Sequence, residues 1–169
     1  SPGLSQTYLL LLLLLLLLFP SPPPLETEKM SFAVRGSIPE QTVVDGRPFP
    51  LTLNPGTDAL SASELAGYVK SHRETLLQQA LTFGAVLLRG WNVNTAEDFA
   101  AVGEALGLDK FPYIGGAAPR TNIVRDVVFT TNESPPECPI PFHHEMAQCP
   151  SPPKYVLFYC ETAAKVGGE

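Results

Sequence analysis

The prolines are the feature that most limits how this chain can fold. A proline inside a helix removes a backbone donor and clashes with the preceding turn, so it ends or kinks the helix. Four of the eighteen prolines fall between residues 20 and 24, and seven fall between residues 135 and 153. The first cluster indicates a tail or linker. The second cluster brackets the only group of potential metal ligands in the sequence, within residues 142–146.

A run of ten leucines, Leu9 to Leu18, precedes the first proline cluster. With Tyr8 and Phe19 it gives twelve apolar residues, whereas a membrane-spanning helix needs about 20. The length suits the core of a signal peptide, but residues 1–7 contain no Lys or Arg and no small-residue cleavage pattern follows. We interpret residues 1–30 as a low-complexity leader to a cytoplasmic protein that starts near Met30. Secretory or organellar targeting is one alternative and a membrane anchor is another.

The overall charge and the cysteines exclude several classes of protein. The net charge is -6 and the sequence pI is about 5.0, so the chain repels nucleic-acid phosphates and nucleic-acid binding has no electrostatic support. The three cysteines, Cys138, Cys149 and Cys160, are too few for a disulfide framework, and their spacing matches no zinc motif. We expect them to be reduced, small apolar residues.

Two helices are predicted in the middle of the chain. Ser61 and Glu64 form a capping-box pattern, and apolar residues then recur at helical spacing, which predicts a helix over about 61–82. His72 on this helix is expected to be solvated. A second helix is predicted over about 95–106, because Asn94 or Thr95 can cap it and Gly107 can end it.

The predicted strands come mainly after these helices. Residues 85–88 form a short apolar run between glycines, which is typical of a buried strand. Residues 124–130 and the aromatic, β-branched segment 154–161 are also predicted to be strands, as is the short stretch 41–44. This order of elements predicts an α+β fold in which helices pack on an antiparallel sheet.

The chemistry-bearing cluster is Phe-His-His-Glu-Met at 142–146. On a strand, side chains two residues apart share a face, so His143 and Glu145 would converge while His144 points away. An imidazole and a carboxylate are two of the three ligands in the facial triad that binds non-heme iron(II). By spacing alone, a pair of surface histidines in a proline-rich loop remains the alternative. The zinc protease motif H-E-x-x-H is absent.

The segments around this cluster resemble a known family. They are Gly-Ala-Val-Leu-Leu-Arg-Gly at 84–90, Gly-Gly-Ala-Ala-Pro-Arg at 115–120, Thr-Asn-Glu-Ser-Pro-Pro at 131–136, Phe-His-His-Glu-Met-Ala-Gln at 142–148 and Gly-Gly-Glu at 167–169. In this order they resemble the taurine dioxygenase/TfdA-like family, most of all its plant clavaminate synthase-like branch. The resemblance implies a double-stranded β-helix, or jelly roll, with packed N-terminal helices. Residues 31–169 would form the N-terminal part of this domain, truncated at its C-terminus.

The resemblance also implies a function and its site residues. The expected activity is an Fe(II)- and 2-oxoglutarate-dependent dioxygenase that uses O₂ to hydroxylate a small organic substrate. His143 and Glu145 would be metal ligands, with glutamate at the usual aspartate position. The second iron-binding histidine and the 2-oxoglutarate-binding arginine are expected beyond Glu169. Arg120, Asn132 and Glu133 are candidates for the substrate pocket, and the alternative is a non-catalytic fragment without a complete metal site.

Overall fold

A computed structural model of the chain describes residues 32–56, 60–111, 120–131, 135 and 138–163. The leader predicted at residues 1–30 lies outside the described residues. Ten helices and strands follow one another in the described part: β1 (Ala33–Gly36), β2 (Thr42–Val44), β3 (Arg47–Phe49), β4 (Leu51–Pro55), α1 (Ala62–Ser71), α2 (Arg73–Phe83), β5 (Val86–Leu88), α3 (Ala96–Ala105), β6 (Asn122–Val124) and β7 (Val128–Phe129). The predicted strand at 41–44 is confirmed as β2, and the one at 85–88 as β5.

A three-stranded sheet in the order β1-β4-β5 holds the core. The central strand β4 runs antiparallel to β1 and parallel to β5. A parallel pair needs a long crossover connection, and the helices α1 and α2 supply it. The β4 residues Leu51, Thr52 and Leu53 are at most 2% exposed. The edge strand β5 is half-buried and so less covered than its apolar sequence predicts.

The single helix predicted over 61–82 is two helices, and the break lies at His72. The backbone of His72 leaves the helical region, with φ -111° and ψ 20°. The hydroxyl of Ser71 donates to the carbonyls of Gly67 and Tyr68, and such side-chain bonds compete with the helix ladder. The His72 ring stacks on Tyr68 at 4.3 Å between centroids and is half-buried, so the expectation of a solvated side chain was wrong.

Both helix starts follow their sequence signals. Ser61 and Glu64 form the predicted capping box on α1, and Thr95 and Asp98 form a second one on α3, which begins at Ala96 and ends at Ala105. In each box the acidic side chain accepts hydrogen bonds that favour its charged form. The Ser61 hydroxyl and then the Ser61 N–H hold the pKa of Glu64 below its ordinary value. The Asn94 N–H does the same, as the largest contribution, for the pKa of Asp98.

The helix α1 packs against α3, and α2 packs against β4 and β5. Leu65, Tyr68 and Val69 of α1 are all at most 4% exposed. Tyr68 also belongs to a stacked aromatic cluster with Phe32 and Trp91, whose ring centroids lie 5.3 to 6.0 Å apart. Burial raises the pKa of Tyr68. The indole N–H of Trp91 donates to the Leu53 carbonyl at 3.3 Å, which ties the cluster to the central strand.

Two strand predictions in the second half of the chain were wrong. Residues 124–130 form part of a hairpin, because β6 and β7 pair across a tight turn at Arg125 and Asp126. The turn spans residues 125–127, and Arg125 and Asp126 have positive φ. Residues 154–161 pair with no described strand. A strand is stabilised by its partner, and Val156, Leu157 and Phe158 are 40 to 73% exposed here.

The described residues therefore form a mixed α+β structure with small sheets, as predicted, but four strands precede the helices and the three-stranded sheet contains a parallel pair. Within this part of the chain the strands do not make up a complete double-stranded β-helix. No helix in the described ranges is long and apolar enough to cross a membrane.

Candidate metal site

Residues 142–146, which contain the His-x-Glu motif, do not form the strand that was predicted for them. Residues 141–144 are irregular and lead into a turn at residues 145–148. Met146 adopts a left-handed conformation with φ 53°, which is uncommon for a residue with a side chain. Its side chain is only 4% exposed and anchors the turn in the protein. The turn closes with hydrogen bonds from the Ala147 N–H to the His144 carbonyl and from the Cys149 N–H to the Met146 carbonyl.

His143 and Glu145 nevertheless converge, as predicted. The Nε2 atom of His143 lies 3.6 Å from the Oε2 atom of Glu145. The Nδ1 atom of His143 lies 2.9 Å from the Pro141 carbonyl oxygen. A carbonyl can only accept, so Nδ1 carries the proton, and in the neutral ring Nε2 presents its lone pair toward Glu145.

Arg120 contacts the other oxygen of the Glu145 carboxylate. Its Nη2 atom donates to Oε1 of Glu145 at 2.9 Å, and Nη1 donates to the Thr130 carbonyl at 3.5 Å. The side chains of Arg120 and Glu145 are 20% and 24% exposed, so the ion pair is largely shielded from solvent. Burial lowers the pKa of Arg120, although an arginine remains charged in proteins. The sequence placed Arg120 near the pocket, but its pairing with Glu145 depends on chain folding and has no sequence signal.

These three side chains lie in a wide cavity of 1710 Å³. Its walls combine α3, the β6–β7 hairpin and the extended segment 151–158, and many of its lining residues are apolar, such as Phe99, Phe129 and Leu157. The volume exceeds the roughly 300 to 1,000 Å³ of most small-molecule sites. The described walls alone therefore do not define one substrate.

Comparison with known proteins identifies the family. The family model for taurine catabolism dioxygenase TauD, TfdA family, matches residues 47–169. The chain belongs to the TauD/TfdA family. A clavaminate synthase-like protein of Arabidopsis thaliana is 46% identical to it over 141 residues, which cover 80% of this chain and 42% of the relative. The chain thus spans less than half the length of this relative. The resemblance inferred from the sequence motifs is confirmed.

Members of the TauD/TfdA family typically use Fe(II), and the geometry at His143 and Glu145 fits such an ion. Two ligand atoms about 2.1 Å from one metal lie about 3.0 to 3.4 Å apart at right or tetrahedral angles. The observed separation of 3.6 Å needs only a small closing movement. A metal-bound histidine usually donates its other N–H to a carbonyl or carboxylate, as His143 does to Pro141. The donor pair of imidazole nitrogen and carboxylate oxygen suits non-heme iron.

The sequence singled out further residues besides His143, Glu145 and Arg120. Strand geometry placed His144 on the opposite face, but its side chain is exposed and lines the same wide cavity. Across the described ranges, His, Cys, Asp and Glu side chains form no group of three that could hold a metal ion. Cys138, Cys149 and Cys160 form no disulfide within the described residues, and Cys138 and Cys160 are exposed, unlike the small apolar residues expected. Asn132, Glu133 and the Gly-Gly-Glu segment at 167–169 lie outside the described residues.

Proposed function

We propose that the protein containing this chain is an Fe(II)- and 2-oxoglutarate-dependent dioxygenase, with O₂ as its oxidant and a small organic molecule as its substrate. The observation that carries this proposal is the convergence of His143 Nε2 and Glu145 Oε2 at 3.6 Å in a member of a dioxygenase family. His143 and Glu145 would be two of the three iron ligands. Bound iron would supply the activation of O₂ for oxidation of a C–H bond.

The chain's own residues would prepare this site in three ways. The Pro141 carbonyl orients the His143 ring and fixes its tautomer. Arg120 holds one oxygen of Glu145. Buried Met146 anchors the turn that begins at Glu145, and His143 lies two residues before that turn.

The third ligand and the cation for the 2-oxoglutarate carboxylate would come from sequence after Glu169, and residues 31–169 would be the N-terminal part of a jelly-roll domain. This division is supported by the 42% coverage of the relative. It is also supported by the segment 154–161, whose strand-like sequence has no partner among the described strands. A longer sheet would pair it and cover Phe158.

Enzyme assays on the complete protein test the assignment. His143→Ala and Glu145→Ala should each abolish Fe(II)-dependent turnover of 2-oxoglutarate, measured as succinate formation, while the thermal unfolding temperature stays within a few degrees of the parent value. His144→Ala is the matched control, because it removes the adjacent imidazole and keeps both proposed ligands. Turnover that survives in either ligand variant would refute the assignment.

Sequencing the transcript past the codon for Glu169 tests the division of the domain. An open frame that continues past Glu169 and later contains a histidine and an arginine at family spacing would support the dioxygenase. A stop codon directly after Glu169 would instead support the alternative, a non-catalytic fragment without a complete metal site.

A further inference from the structure

Arg120 is held at the metal motif by the hairpin that follows it. The neighbouring Thr121 exchanges hydrogen bonds with Thr130: its N–H donates to the Thr130 hydroxyl at 2.9 Å, and its carbonyl accepts from the Thr130 N–H at 3.0 Å. These bonds close the base of the β6–β7 hairpin directly beside Arg120. The backbone of Arg120 is thus fixed relative to Thr130, whose carbonyl its own Nη1 atom contacts.

The guanidinium joins this hairpin to the motif turn. One of its nitrogens contacts the Thr130 carbonyl at 3.5 Å, and the other contacts Oε1 of Glu145 at 2.9 Å. The guanidinium is planar and holds its N–H donors in a rigid fork. When one nitrogen is bound to its acceptor, the position of the other nitrogen is therefore also set. Oε1 is therefore directed to Arg120, while Oε2 is the oxygen that faces His143.

We propose that Arg120 is a positioning residue that directs Glu145 to bind the metal through Oε2 alone. This inference rests on the proposed function, since it takes Glu145 to be a ligand. A carboxylate that binds through one oxygen occupies one coordination position, whereas one that binds through both occupies two. Single-oxygen binding therefore leaves an additional position open for the co-substrates, and facial-triad sites depend on such open positions.

Arg120 has two opposing effects on metal affinity, and they can be separated. Its fixed geometry pre-orients the ligand, which strengthens binding, while its positive charge repels the cation. Arg120→Lys keeps the charge but replaces the fork with a single flexible nitrogen. If Arg120 positions Glu145, this variant loses affinity. If Arg120 acts only through its charge, the variant binds the metal with the same affinity as the parent.

The test is anaerobic titration of the complete protein with cobalt(II) alone, followed by visible absorption. We expect Arg120→Lys to bind cobalt(II) about tenfold more weakly or worse, the loss typical when a partner of a metal ligand is replaced. In a Glu145→Ala background the same substitution should change the affinity by less than about twofold, because Arg120 would act through Glu145. Unchanged affinity in the single variant would overturn the proposal, as would an equal loss in both backgrounds.

Arg120→Gln provides a second variant should Arg120→Lys not fold. Without the guanidinium, Glu145 is free to bind through both oxygens, so the cobalt(II) spectrum should change relative to the parent. An unchanged spectrum would overturn the proposal. The proposed function fails separately: a parent protein that does not bind cobalt(II), or one whose affinity is unaffected by both His143→Ala and Glu145→Ala, would reject the metal site itself.

Discussion

Residues 33–107 and residues 120–163 differ in how their structure is secured. The first region contains three capped or closely packed helices and the three-stranded sheet, and it holds eleven of the thirteen buried apolar residues among those described. The described part of the second region contains one short hairpin and the motif turn, and its buried apolar residues are Val124 and Met146. It contacts the first region through α3, where Tyr159 stacks on Phe99 and donates to the Val93 carbonyl at 3.2 Å.

The difference shows that stability and chemistry are separated in this chain. The first region is a packed scaffold that carries none of the proposed ligands. The second region carries His143, Glu145 and Arg120, held by a few specific contacts. The loss of an apolar side chain should therefore change the free energy of unfolding by different amounts in the two regions. Changes at helix ends should have smaller effects.

The largest expected difference is between two apolar truncations. Leu53 lies on the central strand and is 2% exposed, whereas Phe158 in the second region is 73% exposed. Leu53→Ala should lower the free energy of unfolding by about 2 to 5 kcal/mol, because it removes buried surface and leaves a cavity. In the 169-residue chain, where Phe158 is exposed, Phe158→Ala should change the free energy of unfolding by no more than about 0.5 kcal/mol. Chemical denaturation followed by the fluorescence of Trp91 measures both. Equal losses of unfolding free energy in the two variants would contradict the difference between the regions.

Two glycines in the first region give the next effect. Gly84 ends α2 with φ 79°, and an added Cβ would lie 3.1 Å from the Phe49 ring. Gly84→Ala should therefore cost about 1 to 2 kcal/mol. Gly67 lies within α1, and an added Cβ would meet nothing within 4 Å. Gly67→Ala should stabilise the protein by about 0.5 to 1 kcal/mol. The unfolding temperature should fall in Gly84→Ala and rise in Gly67→Ala. A change of the same sign in both variants would contradict the backbone geometry.

The smallest effect concerns the cap of α1 and its pH dependence. Ser61→Ala should cost about 1 kcal/mol at neutral pH. The folded pKa of Glu64 is lowered, so its contribution is present above its ordinary value of 4.5 and is lost as the pH falls through the lower folded pKa. In Glu64→Gln the capping pattern is retained but residue 64 cannot titrate. Below about pH 4.5 the free energy of unfolding of this variant should therefore fall less steeply than that of the parent. Unfolding curves from pH 3 to 7 that superimpose for parent and variant would argue against this linkage.

Local signals predicted the first region well, since a capping box, a helical repeat or a glycine stop acts within a few residues. Ser61, Thr95 and Gly107 marked helix ends that the structure contains. The break at His72 was missed because it depends on side-chain bonds from Ser71 and on stacking with Tyr68. The β6–β7 turn was missed because it contains no glycine and Arg125 is an uncommon residue at positive φ.

The sequence predicted that the two proposed ligands converge, but not the backbone conformation in which they do so. The convergence of His143 and Glu145 was deduced from strand geometry, yet residues 141–144 are irregular and Glu145 begins a turn anchored at Met146. The approach of Arg120 to Glu145, 25 residues along the chain, depends on the hairpin between them. Such long-range pairs are set by tertiary packing, which no local pattern in one sequence encodes.

Anomalous diffraction from crystals of the complete protein, grown anaerobically with Fe(II), would test the central claim most directly. We predict an iron peak about 2.0 to 2.2 Å from both Nε2 of His143 and Oε2 of Glu145, with Oε1 still bonded to Arg120. Iron bound elsewhere, with these two atoms free of metal, would contradict the proposed site.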